Sequence, residues 1–296
     1  MRKKDVRRMI PAQYIPYTCT IGLWFTVIGY YFLLFIYLAL FKWRKDKNFF
    51  NLMLALFFIT LAIGRVFFLL YDFYDKPTII PLTLSLSAAS TPYPSFVEAL
   101  IIYNTLNWRI ASFWEWLSVS FISLGIAYVW LENKWLRRTL HLPPLFAGVS
   151  LLFLPGDVLF GYNINEIPFF IPQIQIDGYE ALFWLGFDPF SPLFPTKWVI
   201  TYQPSGAIYL TINYVLASLY SVFIPLLFFY VAWNSVGVIR RKALLLGIGF
   251  ISYYVGRTLQ AAIIKSVLGE IAIFIAPIIV IVALVLITSG VQYEAE

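Results

Sequence analysis

Seven stretches of this chain run for about 18 residues or more with almost no charge, and that pattern restricts the backbone more than any other feature does. A helix rises about 1.5 Å per residue, so about 20 apolar residues cross the roughly 30 Å of bilayer hydrocarbon. Hydrophobic residues make up 61% of the chain and charged ones 12%. A soluble domain carries roughly 25% charged residues to cover its surface, so most of this surface faces something other than water. The sequence predicts an all-α fold, a polytopic integral membrane helix bundle with about seven transmembrane helices, forming a single membrane domain over 1–296.

The spans read as Thr18–Phe41, Phe49–Tyr71, Trp108–Leu131, Pro143–Tyr162, Gly206–Trp233, Ala243–Val267 and Ile271–Ser289. Trp43, Trp108, Trp130 and Trp233 fall where headgroups should lie. The fourth span is short and broken by Pro155-Gly156. Three short loops carry the positive charge: Lys42 to Lys47, then Lys134 with Arg137 and Arg138, then Arg240-Arg241-Lys242. All three fall on one side of a seven-span arrangement, and the positive-inside rule makes that side cytoplasmic. The chain is then a multi-pass protein of the cell membrane with its C-terminus in the cytoplasm and its N-terminus outside. The basic tail from Arg2 to Arg8 argues the other way, but its five charges are outnumbered by the ten in the loops. That tail resembles the start of a signal peptide. The apolar run behind it is too long, and no small-residue cleavage site follows, so it is expected to stay attached. Cys19 is alone and forms no intramolecular disulfide.

The expected outer side carries two long segments, 72–107 and 163–205, both rich in proline and in aromatic residues. Proline lacks a backbone donor, so neither segment reads as a further span. Apolar loops of this kind fold down as a cap or contact another protein, and Phe169, Phe170 and Trp184 are the candidate partner contacts. Gln173 to Tyr179 alternates and contains Asp177-Gly178, a hairpin signal. A weak internal repeat is also visible. The first two spans end in Gly64-Arg65, and the fifth and sixth reach Gly256-Arg257, each after a basic loop.

Ionisable groups inside spans are costly and therefore informative. Counting from the outer end of each span places Arg65 roughly 9 Å deep, Glu115 roughly 10 Å, Asp157 roughly 8 Å and Arg257 roughly 15 Å. Two arginines and two carboxylates at similar depth form a candidate intramembrane charge cluster, because isolated charges there are hard to insert. Such a cluster serves either as a clamp between helices or as a ligand or ion site.

Most chemistries lack their residues. A bis-histidine haem needs two histidines and the chain has only His141, which leaves a pairing with Met53 as the sole haem option. One cysteine supports neither a thiolate zinc site nor an iron–sulfur cluster. Tyr71-Asp72 and Leu154-Pro155-Gly156-Asp157 resemble the paired motifs of presenilin-like aspartyl proteases, but Leu154 replaces the first glycine and the motifs stand two spans apart. No metal, no cofactor and no catalytic residue is predicted. The expected partners are membrane lipids and other membrane proteins, with no nucleic acid.

The run from Arg240 through Gly247, Gly249 and Phe250 to Val255-Gly256-Arg257, with Lys45–Arg65 to a lesser degree, resembles the seven-helix membrane sensor modules that precede the catalytic parts of histidine kinases. Only Gly290 to Glu296 follows the last span, so the resemblance implies a sensor that signals through another protein. Three functions remain open at this point. They are a non-catalytic subunit anchoring or organising a membrane complex, respiratory for example, a sensor or small-molecule binder, and a transporter. The wealth of Ile, Phe and Tyr is archaeal in style.

Overall fold

The computed structural model describes residues 14–73, 94–130, 132–154, 173–174, 200–201, 208, 211–259 and 270–293. Among these the architecture is helical. The helices are α1 (Tyr14–Ile36), α2 (Phe49–Phe73), α3 (Pro94–Trp130), α4 (Lys134–Thr139), α5 (Leu142–Phe153), α6 (Ala217–Asn234), α7 (Gly237–Thr258) and α8 (Glu270–Gln292). A π-helical run, Tyr37–Trp43, and a last turn, Arg44–Asp46, extend α1, and a second π-helical run, Thr211–Leu216, leads into α6.

Five helical segments among the described residues are long and apolar enough to cross a membrane: Cys19–Asp46, Phe49–Leu70, Leu106–Val129, Thr211–Asn234 and Phe274–Gln292. They place the chain in a membrane. The sequence count of seven rests on two further segments that behave differently. The fourth forms α5, which has 12 residues and is about 18 Å long at the helical rise. It stops because Leu154 precedes Pro155, and a residue before proline is pushed into extended backbone (Leu154 has ψ 141°). The sixth forms α7, whose 22 residues suffice in length but carry Arg240, Arg241, Lys242 and Arg257.

The segment read as outer loop 72–107 is partly helical, because α3 begins at Pro94 and runs for 37 residues. Proline at the first helical position gives up a donor that has no intrahelical partner there, so its presence does not forbid a helix start. Gln173–Ile174 (β1) pairs antiparallel with Ile200–Thr201 (β2), with Gln173 opposite Thr201. This strand therefore pairs at long range, and the Asp177-Gly178 turn lies outside the described residues. Phe169, Phe170 and Trp184 lie outside them as well.

The chain divides into two compact units, Tyr31–Tyr220 and the combination of Met1–Tyr30 with Ser221–Glu296. In the first, α2 and α3 pack antiparallel. A Cβ at Gly64 would meet the Ala111 carbonyl at 3.1 Å, and at the other end Gly125 leaves room for Met53 with 2.8 Å between Cβ positions. Met53 is thus a buried packing residue. Helix α5 lies antiparallel on another face of α3, where a Cβ added at Gly148 would lie 3.0 Å from Trp116 Cβ. Trp116, Ala147, Leu151 and Ile212 form a buried apolar cluster there.

In the second unit, α7 packs on α8 through small residues. Gly249 and Gly256 face Ala283, Ile287, Ala276 and Val280. Spacings of three and four residues along both helices make a continuous seam, in which small side chains let backbones approach closely. Tyr30 and Thr288 share a hydrogen bond of 3.1 Å between their hydroxyls, and the rings of Phe228 and Phe250 stack at 5.2 Å.

Each of the three basic loops holds a cation over an aromatic ring. Lys47 lies over Trp43 at 5.1 Å, Arg137 over Tyr128 at 5.1 Å, and Arg241 over Tyr293 at 5.9 Å. The turn after α1 closes with Lys47 in left-handed backbone, φ 53°. Its amide donates to the Trp43 carbonyl at 2.7 Å. The Asn48 side chain then accepts from Phe50 N–H at 2.9 Å, capping α2.

Candidate functional site

Buried polar side chains in the Tyr31–Tyr220 unit concentrate on α2 and α3. Arg65 is 5% exposed, Asn107 5%, Arg109 2% and Ser112 6%. A charge at this depth must meet polar partners, because lipid supplies none.

Arg109 shows how the layer is built. Its guanidinium donates to two backbone carbonyls at the end of α5, Leu154 O through Nη2 at 2.6 Å and Leu152 O through Nη1 at 3.5 Å. The last carbonyls of any helix lack intrahelical partners, and the helix dipole adds partial negative charge there. Because Pro155 ends α5 early, those carbonyls need donors from elsewhere, and the planar arginine fork supplies two at once. Two hydroxyls engage the other end of α5. Ser120 donates to the His141 carbonyl at 3.0 Å, and Tyr220 donates to the Leu140 carbonyl at 2.7 Å. Arg109, Trp116 and Ser120 recur at helical spacing on α3, so one face of that helix holds α5 along its whole length.

Two residues of the sequence cluster lie on helices that pack together. Arg65 and Glu115 come to neighbouring helices at the same level, since a Cβ added at Gly64 would lie 3.4 Å from Glu115 Cγ. The Arg65 guanidinium also sits 5.6 Å above the Phe68 ring. Arg257 belongs to the other compact unit, where it is partly exposed in the last turn of α7. A cation there complements the helix dipole. Asp157 lies outside the described residues.

Sequence reasoning missed Arg109. It stands one residue after Trp108, and a span beginning at that tryptophan puts the arginine at the membrane rim. The signal that could have found it was Pro155, because a helix stopped by proline inside a membrane needs a donor for its terminal carbonyls.

The layer offers hydrogen-bond donors and charge, and within it Glu115 is the described carboxylate. The buried amide nitrogen of Asn107 and the hydroxyl of Ser123 have no hydrogen-bond partner among the described residues. Among those residues, no group of three or more His, Cys, Asp or Glu gathers to hold a metal ion. His141 lies outside the spans, and burial holds its imidazole below the ordinary value of 6.5. No protein family, no curated protein and no solved structure matches this chain.

Proposed function

We propose that the protein is a non-catalytic integral membrane subunit that anchors or organises a larger membrane assembly, with respiratory complexes among the candidates. The observation that carries this reading is the use of the buried polar groups. Arg109, Ser120 and Tyr220 each donate to a backbone carbonyl at one end of α5, which stiffens a scaffold. Support also comes from the outward face of Thr211–Asn234. There Val222, Leu226, Tyr230 and Trp233 form an exposed stripe at three- and four-residue spacing, suited to another apolar helix. The test is gentle extraction of the tagged protein from its native membrane, followed by sizing and mass spectrometry. A stoichiometric partner set, reduced by Val222→Ser with Leu226→Ser, is the expected result. A monomer or a homo-oligomer would overturn the subunit reading.

A seven-helix sensor or small-molecule binder is the second reading, and the closeness of Glu115 to the turn carrying Arg65 favours it. Its mark is a ligand-dependent rise in thermal stability that Arg65→Gln abolishes. No rise with any small molecule or ion screened would count against it.

A further inference from the structure

Between α5 and the segment leading into α6 lies an open groove of about 380 Å³, at the edge of the apolar cluster that holds Ala147 and Ile212. One wall is a single face of α5: Pro143, Phe146, Ala147 and Ser150. The other wall is Ile208, Thr211, Ile212 and Leu216. The walls run antiparallel, since Tyr220 reaches Leu140 at one end. Ser150 and Thr211 bring the only hydroxyls among these lining side chains. From Pro143 to Ser150 the groove extends about 10 Å along the helix. Phe146 is 63% exposed, so the groove opens outward.

The apolar span Leu106–Val129 ends shortly before α4, and Pro143 follows α4 directly, so the groove starts at the membrane surface and runs inward. Its surface end sits beside the basic helix α4. There Arg137 is engaged with the Tyr128 ring, while Lys134 and Arg138 are exposed. An apolar channel entered past two exposed cations has the polarity of an anionic lipid, with its tail in the channel and its phosphate at the cations.

We propose that this groove holds one acyl chain of an anionic phospholipid, whose headgroup phosphate is bound by Lys134 and Arg138. In bilayer hydrocarbon the void would otherwise forfeit dispersion contacts on both walls. A volume of about 380 Å³ lies within the roughly 300–1,000 Å³ that small-ligand clefts occupy. Each basic residue near an anionic headgroup favours it about fivefold.

The full-length protein, equilibrated with vesicles of equal phosphatidylglycerol and phosphatidylcholine bearing identical chains, is examined by native mass spectrometry. One phosphatidylglycerol should be retained at least about fivefold over phosphatidylcholine. Lys134→Gln with Arg138→Gln should bring that ratio near one. Thr211→Phe, at an exposed lining position, should lower retention of both lipids while leaving thermal stability in detergent unchanged. Equal retention of the two lipids by the unmodified protein, or a preference that survives the charge changes, would overturn the proposal. A dimer that Thr211→Phe dissociates would also overturn it, by placing a second copy in the groove.

Discussion

The pair α2–α3 and the pair α7–α8 share one contact and differ in everything around it. Helix α2 begins after a basic turn and α7 carries its basic residues near its own start, and each has a Gly-Arg dipeptide whose glycine sits against an alanine carbonyl of the following long helix. A Cβ at Gly64 would lie 3.1 Å from Ala111 O, and one at Gly256 would lie 3.1 Å from Ala276 O. The second pair closes along a seam in which Gly249 and Gly256 admit Ile287 and Val280. The first pair adds a short third helix, α5, and holds it by hydrogen bonds from Arg109, Ser120 and Tyr220. Close packing suffices where two helices are both long. A helix of 12 residues buries less surface and exposes its terminal carbonyls earlier, so it relies on polar fastening.

This contrast can be broken by mutation, and the largest effect is expected at Arg109. Arg109→Met leaves two part-buried acceptors without their donor, a loss of about 2–5 kcal/mol in equilibrium unfolding. Arg109→Lys keeps the charge and loses the fork, so it should fall between Met and the native residue. If Met and Lys cost the same, the fork geometry is irrelevant.

Gly256→Leu or Gly249→Leu should come next. A Cβ at Gly249 would lie 2.6 Å from Ile287 Cγ1 and 3.1 Å from a backbone nitrogen, so the two helices must part. The expected loss is about 1–3 kcal/mol, read by thermal unfolding in detergent. A neutral Gly256→Leu would remove the small-residue seam from the account.

Smaller effects are expected where one hydroxyl is removed. Tyr220→Phe and Ser120→Ala should each cost about 0.6 kcal/mol, the average for hydrogen bonds between membrane helices, in the same unfolding measurement. If neither changes stability, the ends of α5 are held by packing at Trp116 and Leu151.

The smallest effect is that of pH. Because burial lowers the His141 value in the folded chain, the unfolded chain takes up a proton more readily. Stability is therefore fully present above the ordinary value of 6.5 and declines as pH falls through it. His141→Asn should flatten the stability profile between about pH 7 and 5. An unchanged slope would assign it to other groups.

The helical class was legible because apolar runs of this length have no other common solution in a bilayer. The three basic segments were legible too, since local charge needs no tertiary context, but two of them are helical, Lys134 to Arg138 in α4 and Arg240 to Lys242 in α7. Pro155 was also visible, but it read as a break within a span, whereas it ends the helix. Pro94 misled in the opposite sense, because a proline at a helix start looks in sequence like a proline in a loop. The Gly-Arg dipeptides drew attention to their arginines. In the fold their glycines carry the helix contacts, and the partners Ala111 and Ala276 could not be read from spacing within one helix. Arg109 was hidden for a related reason: its acceptors on α5 lie more than 40 residues further along the chain.

Hydrogen–deuterium exchange on Arg109→Met in detergent tests the claim of local polar fastening most directly, with Leu142–Phe153 compared against the α7–α8 pair. The account expects amide protection to fall across α5 while α7 and α8 keep theirs. Unchanged protection in α5, or an equal loss in both regions, would contradict it.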